Sequence, residues 1–198
     1  HIKTILPFEE LHSRILRAGL LYMVSDGSAP KGAPFGTHGW LLADSHTILL
    51  SGFGPVHGVP LSSVRSEATG LLAGLVAYQT LIEYLCIPNP QPLSCHLDNE
   101  GVCLRMGSLL GAGYQPQQVR QADSDTYQQL AETTSALGFS LTVNWVKGHQ
   151  DRNRRLTRPL TCGRTLANWH TESTHKQTRG KPPRLRWFNS QARCTVGR

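Results

Sequence analysis

Apolar and polar positions follow two different periods along the chain. Residues 20–25 (LLYMVS) form a short apolar run, the pattern of a strand buried within a sheet. The next segment, DGSAPKGAPFG, is dense in Gly and Pro and reads as a loop. Residues 37–43 (THGWLLA) and 47–53 (TILLSGF) read as two more strands, joined by a link at 44–46 short enough for a hairpin. The period then changes to 3.6. Ala68, Leu71, Leu72, Leu75, Val76, Leu81, Ile82 and Leu85 share one face and predict a long helix over 64–85. Ser62 or Ser63 is placed to cap it, and Pro88 follows its end. Further on, 93–97 (LSCHL) predicts a strand and 100–110 a helix stopping at Gly111. A second helix is expected over 124–137, with Asp123 as N-cap and Gly138 as its stop, and a fifth strand over 140–146 (SLTVNWV). Residues 160–175 predict a last helix. Residues 1–19 read as a short helix or a connector.

The expected order is β-β-β-α-β-α-α-β-α. Three strands open as an antiparallel meander, and the two later ones are separated by helices. That order implies an α/β domain built on a five-stranded mixed sheet flanked by helices. No repeat or low-complexity tract interrupts it.

Composition narrows the classes. Of 198 residues, 39% are apolar, enough to build a core without disulfide or metal staples. No stretch of 18 consecutive apolar residues occurs, so no transmembrane helix and no membrane partner are expected. The opening HIKTILPFEELHSR has no Met and no signal pattern, and the chain is expected to be a fragment of a longer product. Five Cys at scattered spacing do not make a disulfide framework. A reducing compartment, cytoplasmic or nuclear, and no disulfide-linked partner are the expectation. His170, His175, Cys162 and Cys194 have the wrong spacing for a zinc site.

The net charge of +7 is unevenly placed. Residues 1–146 carry 7 Lys/Arg against 11 Asp/Glu, and residues 147–198 carry 13 against 2. An acidic body suits cations and a basic end suits polyanions, although a basic tail also serves solubility alone.

Three carboxylates stand out by position. Asp26 follows the first strand, Glu67 lies in the first turn of the long helix, and Asp98 closes the fourth strand. If those two strands are neighbours, Asp26 and Asp98 emerge side by side, and a helix across the sheet can bring Glu67 to the same point. Three adjacent carboxylates repel unless a cation joins them, and Mg²⁺ suits an all-oxygen site. Each residue also has an ordinary reading: Asp26 as a turn residue before Gly27, Glu67 as a helix-dipole partner, Asp98 as a cap.

The ordered set SDGS (25–28), SSVRSEATGLLAGL (62–75), CHLDNEGV (95–102) and VNWVKGHQD (143–151) resembles type 1 ribonuclease H. It is most similar to the ribonuclease H segment attached to reverse transcriptases of eukaryotic retroelements. The resemblance spans about residues 20–176, leaving 1–19 as connector or leader and 177–198 as a basic tail. It implies a ribonuclease H-like fold and a metal-dependent endonuclease that hydrolyses the RNA strand of RNA–DNA hybrids. It further implies two Mg²⁺ ions, with Mn²⁺ as substitute, and a reverse transcriptase domain in the same polyprotein. Asp26, Glu67 and Asp98 would be metal ligands, and His149 would be the mobile-loop histidine. The fourth family carboxylate, on the last helix, corresponds to Asn168 in TLANWHTE.

That departure weakens the expected site, because an amide oxygen brings no charge to a second ion and cannot serve as a general base. Glu172, one turn on, and Asp151, two residues past His149, are the candidate substitutes. For the nucleic acid, Gly27 and Ser28 would allow close backbone approach, and Asn99 either hydrogen-bonds the strand or caps a helix. Lys147, Arg152, Arg154 and Arg155, with Arg158 and Arg164 behind them, would hold phosphates. RNA would be selected through its 2′-hydroxyls and groove shape. Trp40 and Trp145 read as core, and Asp123 and Asp125 as helix-capping residues. The main competing function is a non-catalytic hybrid-binding module, which Asn168 favours. A transposase-like enzyme is disfavoured, because the long helix bearing Glu67 directly follows the third strand.

Overall fold

A computed structural model describes residues 1–4, 6–115 and 121–148. The elements run β1 (Ile2–Lys3), α1 (Phe8–Arg17), β2 (Leu21–Ser28), β3 (Gly36–Ala43), β4 (Ile48–Val56), α2 (Ser63–Tyr84), β5 (Leu93–Leu97), α3 (Glu100–Ala112), α4 (Ser124–Ser135) and β6 (Leu141–Trp145). The predicted last helix, over 160–175, lies outside the described residues, as does the basic tail.

The sheet has the order β1-β4-β3-β2-β5-β6. Strands β2, β3 and β4 form the antiparallel meander, and β5 and β6 add to β2 in parallel. One strand more is present than the pattern predicted. β1 has only two residues, too few to show a period, and it pairs with the outer edge of β4 at Gly52 and Ser51. The β3–β4 link is held by Asp44, whose Oδ1 accepts from the backbone N–H groups of His46 and Thr47, both at 2.7 Å. This side-chain mimic of a turn is the local reason the hairpin closes there.

Where residues 1–19 left a short helix or a connector open, α1 forms. It buries Leu11 and Ile15 in the main core. That core lies between one sheet face and α2, with Met23, Trp40 and Leu42 against Leu71, Leu75 and Tyr78. Each such side chain contributes about 1.5–3 kcal/mol by leaving water. A smaller buried cluster, Val24, Leu41, Ala43 and Ile48, belongs to neighbouring positions on β2, β3 and β4.

What positions the site is the close seating of α2. Ser66, Gly70 and Gly74 recur at four-residue spacing on one helix face. A Cβ at Gly70 would meet Ser25 Oγ at 3.0 Å, and one at Gly74 would meet Met23 Sδ at 2.6 Å. At the N-terminal end the approach is closer still: a Cβ on Gly27 would run into the backbone of Ser66 and Glu67. The sequence reading kept Gly27 small for a substrate strand, and in the structure α2 itself takes that space.

Ser62 caps α2 as expected, accepting from the Arg65 N–H at 2.9 Å. Two other helix ends differ from expectation. α3 runs past Gly111 to Ala112, and Gly113, with a φ of +71°, ends it. Asp123 precedes α4 but makes no side-chain cap bond. Its carboxylate turns instead to Arg65, as described below.

Candidate metal centre

Asp26 sits near the end of β2, Asp98 follows β5, and β2 and β5 are paired in parallel with Val24 opposite His96. Both carboxylates therefore leave the same end of adjacent strands. Glu67 enters from the first turn of α2, whose backbone rests on Gly27. Two hydrogen bonds fasten that turn to the strand: Ser25 Oγ donates to the Glu67 carbonyl at 3.1 Å, and Ser66 Oγ donates to the Ser28 carbonyl at 3.3 Å. One oxygen from each of Asp26, Glu67 and Asp98 lies within 4.8 Å of the others.

Glu67 is 1% exposed, while Asp26 and Asp98 are half-buried. Burial first, then the charges of Asp98 and Asp26, push the Glu67 carboxyl up to about 8, against the smaller opposing pull of the Asp98 and Gly27 backbone N–H groups. Its Oε1 is buried without a hydrogen-bond partner among the described residues. A buried, unpartnered carboxylate oxygen facing two more carboxylates fits a hard divalent cation such as Mg²⁺ or Mn²⁺. The negative field extends to Cys103, whose thiol is raised to about 11 by burial and then by Glu67, Asp98 and Glu100. The side chains that converge are those of Asp26, Glu67 and Asp98, an oxygen-only donor set.

A buried ion pair steadies the first turn of α2 from the other side. The Arg65 guanidinium, 6% exposed, donates to Asp123 Oδ1 at 2.9 Å and, as a fork, to both oxygens of Asp125 at 2.9 and 2.7 Å. Asp125 thereby holds Arg65 protonated above its ordinary value, and Arg65 in turn lowers Asp125. Asp123 and Asp125 are thus partners of Arg65 rather than helix caps. Sequence reasoning missed this link because some 60 residues separate the partners. The only signal was an Arg two positions before Glu67.

The remaining candidates fall into two groups. Asn99 caps α3, its Oδ1 accepting from the Val102 N–H at 3.2 Å. Ser28 is exposed at the end of β2. Lys147 is exposed and follows β6 closely. Trp40 is buried as expected, but Trp145 is 50% exposed, because β6 is the edge strand of the sheet among the described residues. Its indole N–H donates to the Asp98 carbonyl at 3.1 Å. His149, Asp151, Arg152, Arg154, Arg155, Arg158, Arg164, Asn168 and Glu172 lie outside the described residues.

No family model matches the chain, and no curated protein sequence matches it. Solved structures do. LC11 ribonuclease H1, a compost metagenome protein solved in complex with an RNA/DNA hybrid, is 12% identical over 67% of this chain and 88% of its own, with a TM-score of 0.51. The ribonuclease H1 of the halophilic archaeon Halobacterium salinarum is 18% identical over 68% of this chain and 90% of its own, with a TM-score of 0.48. The N-terminal ribonuclease H domain of a Mycobacterium tuberculosis protein is 17% identical over 68% and 87%, also with a TM-score of 0.48. The match to LC11 ribonuclease H1, together with the strand order, gives the fold: a ribonuclease H-like mixed sheet with helices.

Proposed function

We propose that this chain is a metal-dependent endonuclease that hydrolyses the RNA strand of RNA–DNA hybrids. The observation that carries the reading is the meeting of Asp26, Glu67 and Asp98, with Glu67 Oε1 buried and unpartnered, at the strand ends of a ribonuclease H-like sheet. A fold alone hosts many chemistries, so the weight rests on these side chains.

Asp26, Glu67 and Asp98 would hold the cation, with Asn168 offering a neutral fourth oxygen. Two bound divalent ions, Mg²⁺ or in its place Mn²⁺, would supply activation of water and stabilisation of the leaving oxygen in phosphodiester hydrolysis. The chain's own part is orientation. Ser25 and Ser66 lock the Glu67 turn onto β2, and Gly27 allows that approach. His149 would assist proton transfer or product release. Ser28 and the Asn99 amide would line the strand, while Gly27 serves the approach of α2. Lys147, Arg152, Arg154 and Arg155 would hold phosphates, leaving the 2′-hydroxyls to identify RNA. The motif set further suggests a retroelement polyprotein in which a reverse transcriptase domain accompanies this one, acting in cytoplasm or nucleus.

Single-turnover cleavage of a labelled hybrid, with Mg²⁺ varied, tests the reading. Asp26→Asn should abolish cleavage. Because Asn168 brings no charge, the natural chain should cut slowly, and Asn168→Asp should raise the rate at least about tenfold, a barrier change of ~1.4 kcal/mol. Fast cleavage that Asn168→Asp leaves unchanged would move the fourth-ligand role to Glu172 or Asp151. Hybrid binding with no cleavage by either form at any metal concentration would sink the nuclease and favour a non-catalytic binding module, which the amide at 168 already suggests.

A further inference from the structure

Asp98 is enclosed by the exit of the neighbouring strand. β6 pairs with β5 in parallel up to Leu97 opposite Trp145, and the chain leaves β6 across the residue after Leu97. The Val146 N–H donates to the Leu97 carbonyl at 2.8 Å. The Trp145 indole N–H donates to the carbonyl of Asp98 itself at 3.1 Å. Gly148 then lies directly against the Asp98 side chain. A Cβ at 148 would collide with Oδ2 and come within 2.9 Å of Asp98 Cβ and 3.0 Å of Cγ.

Two features separate this from ordinary packing. Gly148 does not have the left-handed φ that marks Gly32, Gly58 and Gly113, so its backbone does not itself demand glycine. All three of the nearest atoms a Cβ would meet belong to Asp98. Trp145 is half-exposed on an edge strand, where core packing is not what retains it, yet its one polar atom is spent on the Asp98 carbonyl.

We infer that Gly148 and Trp145 are positioning residues for Asp98. Trp145 fixes the backbone of Asp98, and the bare Cα of Gly148 leaves room for its carboxylate to face Asp26 and Glu67. The inference rests on reading the acidic cluster as a divalent-cation site. Adding one methyl group at 148 would press on Oδ2 and swing the carboxylate out of the cluster.

The test is Mn²⁺ binding by calorimetry on the full chain, with the thermal midpoint of the metal-free protein measured in parallel. Gly148→Ala should weaken Mn²⁺ binding at least fivefold, and Trp145→Phe, which keeps the ring and removes the N–H, by a smaller factor. In an Asp98→Gly background, where neither the carboxylate nor the Cβ that a methyl at 148 would meet remains, Gly148→Ala should change neither Mn²⁺ affinity nor the midpoint. Should Gly148→Ala alone fail to fold, recovery of folding in the Asp98→Gly background supports the same conclusion. Wild-type Mn²⁺ affinity in Gly148→Ala, an equal loss with and without Asp98, or no Mn²⁺ binding by the natural chain would each overturn it. Cleavage is not part of the readout. A chain that binds Mn²⁺ through a Gly148-dependent Asp98 but never cuts hybrid refutes the nuclease and leaves the positioning intact.

Discussion

At Glu67, burial and two facing carboxylates raise the carboxyl from its ordinary 4.5 to about 8. Between those values the folded state keeps a proton that the unfolded chain has released. The folded state then binds more protons, so stability falls as pH rises through that window. The stability this group contributes is present below about pH 4.5 and gone above about pH 8. In chelator, the melting midpoint should drop from pH 5 to pH 8.5, by a penalty on the order of a few kcal/mol. Glu67→Gln, which cannot ionise, should flatten that slope relative to the natural chain. Mg²⁺ should raise the midpoint more at pH 8 than at pH 6, because the cluster it meets is then more fully charged. Parallel slopes for both proteins across pH 5–8.5 would show that Glu67 is ionised throughout. This residue was legible in the sequence because local pattern places it: it stands in the first turn of a helix whose 3.6 period is plain. Its burial was not legible, since burial depends on Gly27 admitting the α2 backbone from another element.

The first turn of α2 is held on two sides, by β2 through Ser25 and Ser66 and by α4 through Arg65. The α4 side is the more costly to break. Side chains of Arg65 and Asp123 are both almost fully buried, so Arg65→Met leaves the Asp123 charge without its partner, a loss of about 3–5 kcal/mol. Asp125 is largely exposed, and Asp125→Asn should cost under about 1 kcal/mol. Arg65→Lys should recover little of the loss, since one ammonium cannot reproduce the fork that reaches Asp123 and both Asp125 oxygens together. Chemical denaturation of the three variants checks this order, and equal losses for Met and Asn would refute it. Element existence was readable throughout β2–β6 and α2–α4, because each rests on a run or a period within its own residues. What failed were assignments that depend on neighbours. Asp123 looked like a cap because it precedes a helix, but a partner 58 residues away claims its carboxylate. Trp145 looked like core because it lies in an apolar strand, but sheet order leaves that strand at the edge.

Across the molecule, the three-carboxylate centre and the cationic sequence do opposite work. Residues 1–146 are net acidic, and 13 of the chain's 20 Lys/Arg fall in residues 147–198. A hybrid duplex approaching the acidic centre meets repulsion, so binding there requires phosphate-neutralising cations from elsewhere in the chain. Under the ribonuclease reading those cations are drawn from the basic end, beginning at Lys147, the exposed residue before Gly148. Neutralising phosphates releases counterions, so the logarithm of hybrid affinity should fall linearly with the logarithm of salt concentration, each contact adding about 0.7–0.9 to the slope. Truncation after His175 removes Lys176, Arg179, Lys181, Arg184, Arg186, Arg193 and Arg198. It should weaken hybrid binding at low salt and make the slope shallower. Mn²⁺ affinity should stay where it was, because Asp26, Glu67 and Asp98 are all held by elements within residues 21–148. The measurement is hybrid binding by fluorescence anisotropy from 50 to 300 mM salt, beside Mn²⁺ calorimetry on both proteins. A slope and affinity unchanged by truncation would show that the last 23 residues are only solvated, and would confine phosphate binding to Lys147 and the arginines through Arg164.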